Sequence, residues 1–198
     1  MAKIMNKYPK RKPTRLKEYD YSNSGWYFVT ICSYNRSNIF GEYKNIVGAG
    51  LVSARNNINL STIGQIIDNR WNDIPNQYEN VALDQYIIMP NHIHGIMIIN
   101  NIDKREEASP SPTISDIICS FKSKSTMEYL NYLKRNNIHM PMHIWQRSFY
   151  DHIIQNNKSL HKIREYIVNN PATWDNDEHN PDKKGHNKSE GAGSGLNY

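Results

Sequence analysis

The residues most able to do chemistry are two histidines, His92 and His94, which lie one residue apart inside a short apolar stretch. The runs on either side, residues 86–89 and 95–99, are rich in Ile and too short for a helix, so they favour two buried strands. Pro90 cannot donate a hydrogen bond to a strand ladder and therefore marks the turn between them. Because side chains at positions i and i+2 of a strand share a face, both imidazoles are predicted to project together from the start of a central strand.

Two neighbouring imidazoles supply half of a small metal coordination shell. The same spacing also occurs in surface histidines and in histidines that are hydrogen-bonded to other side chains. The apolar frame favours the metal, because buried polar rings without partners are costly and one ion would satisfy both.

A second reactive pair, Tyr166 and Asn170, lies four residues apart in a segment with helical spacing, residues 159–170, which Pro171 ends. The phenol of a tyrosine can act as a nucleophile, and the amide oxygen of an asparagine is a suitable third ligand for a hard cation. A metal held by two histidines and an amide oxygen would leave positions open for the oxygens of a phosphodiester. The chain has 13 tyrosines, however, and periodicity alone does not choose Tyr166 over Tyr150.

The elements that must position these groups follow from hydrophobic spacing and capping residues. Residues 41–60, rich in Gly and Asn, are expected to form an irregular insertion or a short hairpin. The remaining elements are, in chain order, strand 25–33, helix 61–74, the two strands around the histidine pair, helix 114–133, an extended segment 143–154 and helix 159–170. This order predicts an α+β protein, a ferredoxin-like βαββαβ sandwich with an added C-terminal helix that carries the nucleophile.

Charge and aromatic content point to nucleic acid as the partner. The 198-residue chain has a net charge of +5, a pI near 9.1 and four tryptophans besides its tyrosines, which suits a polyanion with stacking faces. An ordinary basic soluble protein has the same composition. We expect residues 1–17 to form a flexible basic arm that contacts phosphates, and Lys122 and Lys124 to face either DNA phosphates or solvent. Residues 173–198 are predicted to be a disordered polar tail.

The cysteines and the hydropathy of the chain indicate the compartment in which the protein is expected. Cys32 and Cys119 lie far apart and form no metal-binding or redox motif, so we expect free thiols in a reducing cytoplasm. No apolar run approaches the ~20 residues that a membrane-spanning helix needs, and the N-terminus lacks the apolar region of a signal peptide.

The motifs together resemble the REP-associated tyrosine transposases, single-tyrosine members of the HUH nuclease superfamily. The matching pieces are GWYFVTICSYNR, YIIMPNHIHGIMII, IWQRSFYDHIIQN and REYIVNNP, and they span about residues 15–172. The resemblance implies that His92 and His94 are the metal-binding pair, that Tyr166 is the nucleophile and that Asn170 is the third ligand. It implies one transposase domain, residues 18–172, whereas the insertion at 41–60 and the tail match nothing in the family pattern.

The resemblance also implies a reaction. Single-stranded DNA beside hairpins or palindromic repeats would be cleaved and rejoined through a 5′-phosphotyrosine, with Mg²⁺ or Mn²⁺ as the cofactor and no nucleotide consumed. The family includes both monomers and homodimers.

Two other classes of function stay open from the sequence. One is a DNA-binding protein or repressor that has lost cleavage, against which the presence of all four candidate site residues argues. The other is a zinc hydrolase built on the histidine pair, for which His152 and Asp151 are the candidate further ligands.

Overall fold

A computed structural model of the chain describes residues 24–44, 58–100 and 112–183. The elements are β1 (Gly25–Cys32), β2 (Gly41–Tyr43), β3 (Ile58–Leu60), α1 (Thr62–Asn72), α2 (Ile74–Gln77), β4 (Val81–Ile88), β5 (His92–Ile99), α3 (Ile114–Arg135), β6 (Tyr150–Ile154) and α4 (Asn157–Asn169). A 3₁₀ turn, Tyr34–Arg36, follows β1, and a 3₁₀ helix, Asn170–Asn176, follows α4.

The central sheet has four antiparallel strands in the order β4-β5-β1-β6. Counting these as the four strands of the core, the order is second, third, first, fourth, with α1 and α3 as the two crossovers. This is the ferredoxin-like arrangement, so the predicted fold class is confirmed. The short strands β2 and β3 pair separately as an antiparallel hairpin, which confirms one of the two expectations for this region, although residues 45–57 lie outside the described part.

Each face of the sheet buries its own apolar layer. The first face packs against α1 and α3, and the second packs against α4, whose Leu160, Ile163 and Ile167 are buried. Side-chain caps begin α1 and α3, and the cap of α1 is the one predicted from the sequence. Ser61 accepts a hydrogen bond from the backbone of Gly64 at the start of α1, and Thr113 forms a capping box with Asp116 at the start of α3.

One close approach fixes α1 against the centre of the sheet. Trp71 of α1 is fully buried and lies over Gly95 of β5, where a Cβ atom would come within 2.4 Å of the indole ring. Gly95 is therefore required for space, because only a residue without a side chain lets the indole reach the strand that begins with the histidine pair.

The structure corrects the predicted ends of several segments. The strand predicted at 86–89 is β4, which begins five residues earlier, and the helix predicted at 61–74 ends at Asn72, with α2 as a separate short helix. Only Tyr150–Ile154 of the extended segment 143–154 forms a strand, and the residues before it are irregular apart from one bridge between Trp145 and Ser33. The tail does not become irregular at residue 173, because the chain after α4 continues as the 3₁₀ helix and buries Trp174. Residues 173–183 are thus part of the fold, and residues 184–198, like the arm 1–17, lie outside the described residues.

Lys122 was expected to face either DNA phosphates or solvent, but its ammonium group is hydrogen-bonded within the protein. Its Nζ donates hydrogen bonds to the backbone oxygens of Gln146 and Ser148, at 2.9 and 3.1 Å, and burial lowers its pKa to about 8. Lys122 therefore ties α3 to the irregular segment before β6. Lys124 is exposed and donates to Gln77.

Two further expectations concern the thiols and the membrane. Cys32 and Cys119 are both free, as predicted, the first buried and the second exposed. Within the described ranges, no helix is long and apolar enough to cross a membrane.

Candidate active site

The first two residues of β5 that face α4 are the histidine pair. His92 is 0% exposed and His94 is 2% exposed, and their ring centroids lie 4.5 Å apart. Ile93 between them belongs to the core on the opposite face, so the predicted alternation is confirmed. The turn before them is held by backbone bonds, in which Ser33 donates to Asn91 and Met89 donates to His92, both at 2.8 Å.

Asn91 fixes the tautomer of His92. Its amide nitrogen donates to two backbone carbonyls, those of Arg36 and His179, at 3.0 and 2.7 Å, so its amide oxygen must face Nδ1 of His92 at 2.8 Å. An oxygen acceptor requires the proton to be on Nδ1. Nε2 of His92 therefore carries a lone pair, and this buried atom has no hydrogen-bond partner among the described residues.

His94 is held between β1 and α4. Its Nδ1 lies 2.8 Å from Oγ1 of Thr30, and its ring stacks on Phe28 with centroids 5.4 Å apart. Its Nε2 lies 3.2 Å from the hydroxyl of Tyr166. The structure thus brings together the histidine pair and the tyrosine that the family resemblance implies as the nucleophile, although 72 residues separate His94 from Tyr166 in the chain.

Both rings of the pair are neutral at pH 7. Burial, reinforced by the neighbouring imidazoles, lowers the pKa of His92 and of His94 well below the usual histidine value. A neutral imidazole keeps the lone pair that a metal ligand needs.

Helix α4 carries Tyr166 to the pair. Its apolar stripe packs on the sheet, and Arg164 makes two hydrogen bonds to the carboxylate of Asp84 on β4, at 3.0 and 2.5 Å. These contacts fix the position of α4 on the sheet and therefore the position of the Tyr166 side chain, which is half-buried.

Tyr150, the alternative nucleophile, lies on β6, across β1 from the histidine pair. In the sheet register it pairs with Thr30, which in turn pairs with His94, so the three residues form one row across β6, β1 and β5. Its ring meets the edge of Phe28, and burial together with the charge of Asp151 raises its pKa.

Asn170 is buried at the junction of α4 and the 3₁₀ helix, 1% exposed. Its amide nitrogen lies 3.4 Å from Oδ2 of Asp177, an interaction that leaves the amide oxygen available. That oxygen is also buried without a hydrogen-bond partner among the described residues.

A third histidine, His179, joins the pair from the segment that the sequence predicted to be disordered. One ring nitrogen each of His92, His94 and His179 lies within 4.8 Å of the other two. The ring of His179 is 4.5 Å from that of His92, and its Nδ1 is buried with no hydrogen-bond partner within the described ranges. The only sequence signal for this residue is Trp174, a large apolar side chain that needs a core.

The donors present fit a divalent cation. Among the described residues, Nε2 of His92, Nδ1 of His179 and the amide oxygen of Asn170 are all buried without hydrogen bonds, and such unpartnered polar atoms are costly unless a ligand satisfies them. His152 and Asp151, the ligands considered for a zinc site, are not in the histidine cluster.

Comparison with known proteins gives a family. The family model described as "Transposase IS200 like" matches residues 52–170. An uncharacterized protein of Haemophilus influenzae is 33% identical over 181 residues, which cover 85% of this chain and 92% of that protein.

A solved structure supports the fold. The structure of a REP-associated tyrosine transposase bound to a REP hairpin superimposes with a TM-score of 0.52 at 19% identity, covering 80% of this chain and 74% of the other. A putative transposase from Deinococcus radiodurans gives a TM-score of 0.44 at 15% identity, over 78% and 95% of the two chains.

The match to the family model includes the histidine pair, Tyr166 and Asn170, whereas His179 lies beyond its end. The matched range covers more than half of the sequence, and the fold agrees with it. The chain therefore belongs to the IS200-like transposase family.

Proposed function

We propose that this protein is a single-tyrosine HUH transposase, which cleaves and rejoins single-stranded DNA beside hairpins. Tyr166 is the nucleophile, and His92, His94 and Asn170 hold a divalent cation. The observation that carries the proposal is the 3.2 Å distance between the Tyr166 hydroxyl and Nε2 of His94, next to a second imidazole whose lone pair has no partner.

The chemistry follows from this placement. The phenol oxygen of Tyr166 attacks the scissile phosphorus in line, a new P–O bond forms, and the bond from phosphorus to the 3′ oxygen breaks. The phenol loses one proton and the departing 3′ oxygen takes one up, so the products are a 5′-phosphotyrosine and a free 3′-OH. Attack by a 3′-OH on the phosphotyrosine reverses the step, and no nucleotide cofactor is needed because the covalent link conserves the phosphodiester.

The residues around Tyr166 prepare it for this role. Without a metal, the phenol oxygen lies 3.2 Å from Nε2 of His94, which places it beside the proposed ligands, and Phe28 contacts both rings. Tyr150, by contrast, lacks a contact with either histidine nitrogen among the described hydrogen bonds, and its raised pKa disfavours the phenolate. A bound Mg²⁺ or Mn²⁺ supplies positive charge that orients and polarises the phosphate oxygens.

The DNA class is inferred from the family and from charge. The REP-associated relative is bound to a REP hairpin, and the basic arm of this chain suits a polyanion. We infer a hairpin-flanked single strand as the substrate, bound by a monomer or a homodimer.

The experiment is cleavage of a labelled single strand that carries a hairpin taken from repeated palindromes near this gene. Incubation with Mn²⁺ or with Mg²⁺ should produce a nick and a slower-migrating covalent adduct on a denaturing gel, and a chelator should abolish both. Retardation of the DNA on a native gel without any cut in either metal would instead identify a hairpin-binding protein or repressor.

One observation supports the zinc hydrolase alternative. His179 places a third imidazole beside the pair, and some zinc enzymes use three histidine ligands. Metal analysis of the purified protein separates it from the transposase. Stoichiometric zinc together with hydrolysis that leaves no DNA–protein adduct would favour the hydrolase, whereas an adduct in Mg²⁺ or Mn²⁺ favours the transposase.

A further inference from the structure

We propose that His179 is a metal ligand, which the chain segment after α4 delivers to the site formed by His92, His94 and Asn170. The inference rests on the metal assignment of the proposed function and extends it to a residue outside the family match. It makes residues 177–180, which we name the closing segment, part of the metal centre.

The position of the imidazole is the first reason. Its ligand nitrogen lies within 4.8 Å of those of both other histidines, and the ring centroids of His179 and His94 are 6.1 Å apart. In the part of the chain that the structure describes, nothing hydrogen-bonds to its buried Nδ1, so no such bond holds the ring in place at that atom. Its Nε2 lies 3.7 Å from Glu178, whose side chain is 65% exposed, and an exposed pair at that distance contributes little.

The second reason is that two side chains tie the closing segment to the other ligands. Asn91 contacts Nδ1 of His92 through its amide oxygen and the backbone oxygen of His179 through its amide nitrogen. Asp177 accepts from the backbone N–H of His179 at 2.6 Å with one carboxylate oxygen, and the other lies 3.4 Å from the amide nitrogen of Asn170. One amide and one carboxylate thus fix the spacing of three proposed ligands.

The closing segment is also anchored outside the site. Arg36 donates to the backbone oxygen of Glu178 at 2.9 Å, and Asn180 donates to the backbone oxygen of Trp174 at 3.0 Å. Trp174 is buried, and its ring lies 6.2 Å from that of His92. A histidine held on a packed backbone and aimed at two other imidazoles is arranged as a ligand.

The type of ligand predicts which metals should lose affinity when His179 is removed. Imidazole nitrogen suits Co²⁺ and Zn²⁺, whereas Mg²⁺ prefers oxygen ligands and water. Removing His179 should therefore weaken Co²⁺ binding strongly and Mg²⁺ binding little.

The test measures metal binding by the full chain after chelator treatment, using calorimetric titration with Co²⁺ and with Mg²⁺ and the visible absorption of bound Co²⁺. We expect His179→Ala and His179→Gln to reduce Co²⁺ affinity by at least ~10-fold, the low end for disturbing a metal site, and to change the Co²⁺ spectrum. His161→Ala, an exposed histidine on α4, is the matched control and should bind as the wild type.

A measurement on the unaltered protein keeps the proposal testable if the variants do not fold. Exchange of the imidazole C2 hydrogen, followed by mass spectrometry of peptides, should slow at His179 when Co²⁺ is added and stay the same at His161. Unchanged exchange at His179, or folded His179 variants with wild-type Co²⁺ affinity and spectrum, would overturn the inference.

His92→Ala separates this inference from the proposed function. If His92→Ala loses Co²⁺ binding and the His179 variants do not, only the role of His179 is wrong. If His92→Ala also binds as the wild type, the metal assignment of the proposed function fails with it.

Discussion

The histidine pair is the part of the site that the proposed chemistry uses most directly. Substitution of His92 or His94 by Ala should reduce cleavage below detection, because each change removes a ligand nitrogen. Binding of the hairpin should change little, since phosphate contacts come from basic groups spread over the protein. Nicking assays and native-gel titrations on the same preparations measure the two effects. Wild-type nicking by either variant in magnesium would refute the metal assignment.

Burial of the three histidines also makes a prediction about pH. The pKa of His92, His94 and His179 is lowered in the folded, metal-free protein, chiefly because burial disfavours the charged ring. The unfolded chain takes up these protons below about pH 6.5, so the free energy of unfolding should fall from there toward the lowered folded pKa. Each such histidine contributes a slope of about 1.4 kcal/mol per pH unit.

Urea unfolding at pH 7.5 and pH 5.5 in the presence of a chelator measures this loss. A His92→Gln, His94→Gln double variant should lose less stability between the two pH values than the wild type. Equal losses in the two proteins would mean that the buried rings do not resist protonation.

Among the contacts between elements, the packing of α1 on β5 is the one that tolerates added side-chain volume least. Gly95→Ala places a methyl group against the indole of Trp71, and overpacking of this kind costs about 1–3 kcal/mol. Chemical denaturation should show the loss. The double variant Gly95→Ala, Trp71→Phe should cost less than the sum of the single changes, because the smaller ring makes room. A Gly95→Ala midpoint equal to that of the wild type would contradict the close packing.

The sequence was informative where side chains alternate or recur. The spacing of His92 and His94 in an Ile-rich run predicted their shared strand face, and the four-residue spacing of Tyr166 and Asn170 predicted a shared face of the last helix. Only the fold brings the histidine strand and the Tyr166 helix together, and the order of strands and helices predicted that fold.

The rest of the site depends on contacts that leave no periodic signal. The closing segment is held by side-chain bonds to backbone atoms, such as those of Asn91 and Asp177, and contributes only one large apolar residue, Trp174. His179 was therefore hidden in a segment that composition assigns to a tail. Lys122 was misjudged for the same reason, because its acceptors are carbonyls of an irregular segment.

For the whole molecule, the positive charge is concentrated at one end of the sequence. Residues 1–17 contain seven of the 24 Lys and Arg residues and no Asp or Glu, so the remaining residues carry 17 basic and 19 acidic side chains, a net charge of −2. The arm thus accounts for the basic character of the chain, and we expect it to supply most of the electrostatic attraction for DNA.

Deletion of residues 1–17 should weaken hairpin binding and flatten its dependence on salt. Each lost phosphate contact lowers the slope of log K against log salt by about 0.7 for single-stranded DNA. Binding isotherms at several salt concentrations measure it, with circular dichroism as the check on folding. The same slope for the full and the shortened chain would mean that the arm does not touch the DNA.

The central claim is that Tyr166 forms the covalent link to DNA, and the direct measurement is the protein–DNA adduct itself. A labelled single strand with its hairpin is incubated with wild-type protein, Tyr166→Phe and Tyr150→Phe in Mn²⁺ and run on a denaturing gel, and the adduct peptide is identified by mass spectrometry. Tyr166→Phe should fold, bind metal and retard the DNA but give no adduct, because loss of one hydroxyl changes stability little. Tyr150→Phe should still give the adduct, with the nucleotide on the peptide that contains Tyr166. An adduct formed by Tyr166→Phe, or its loss in Tyr150→Phe alone, would contradict the account.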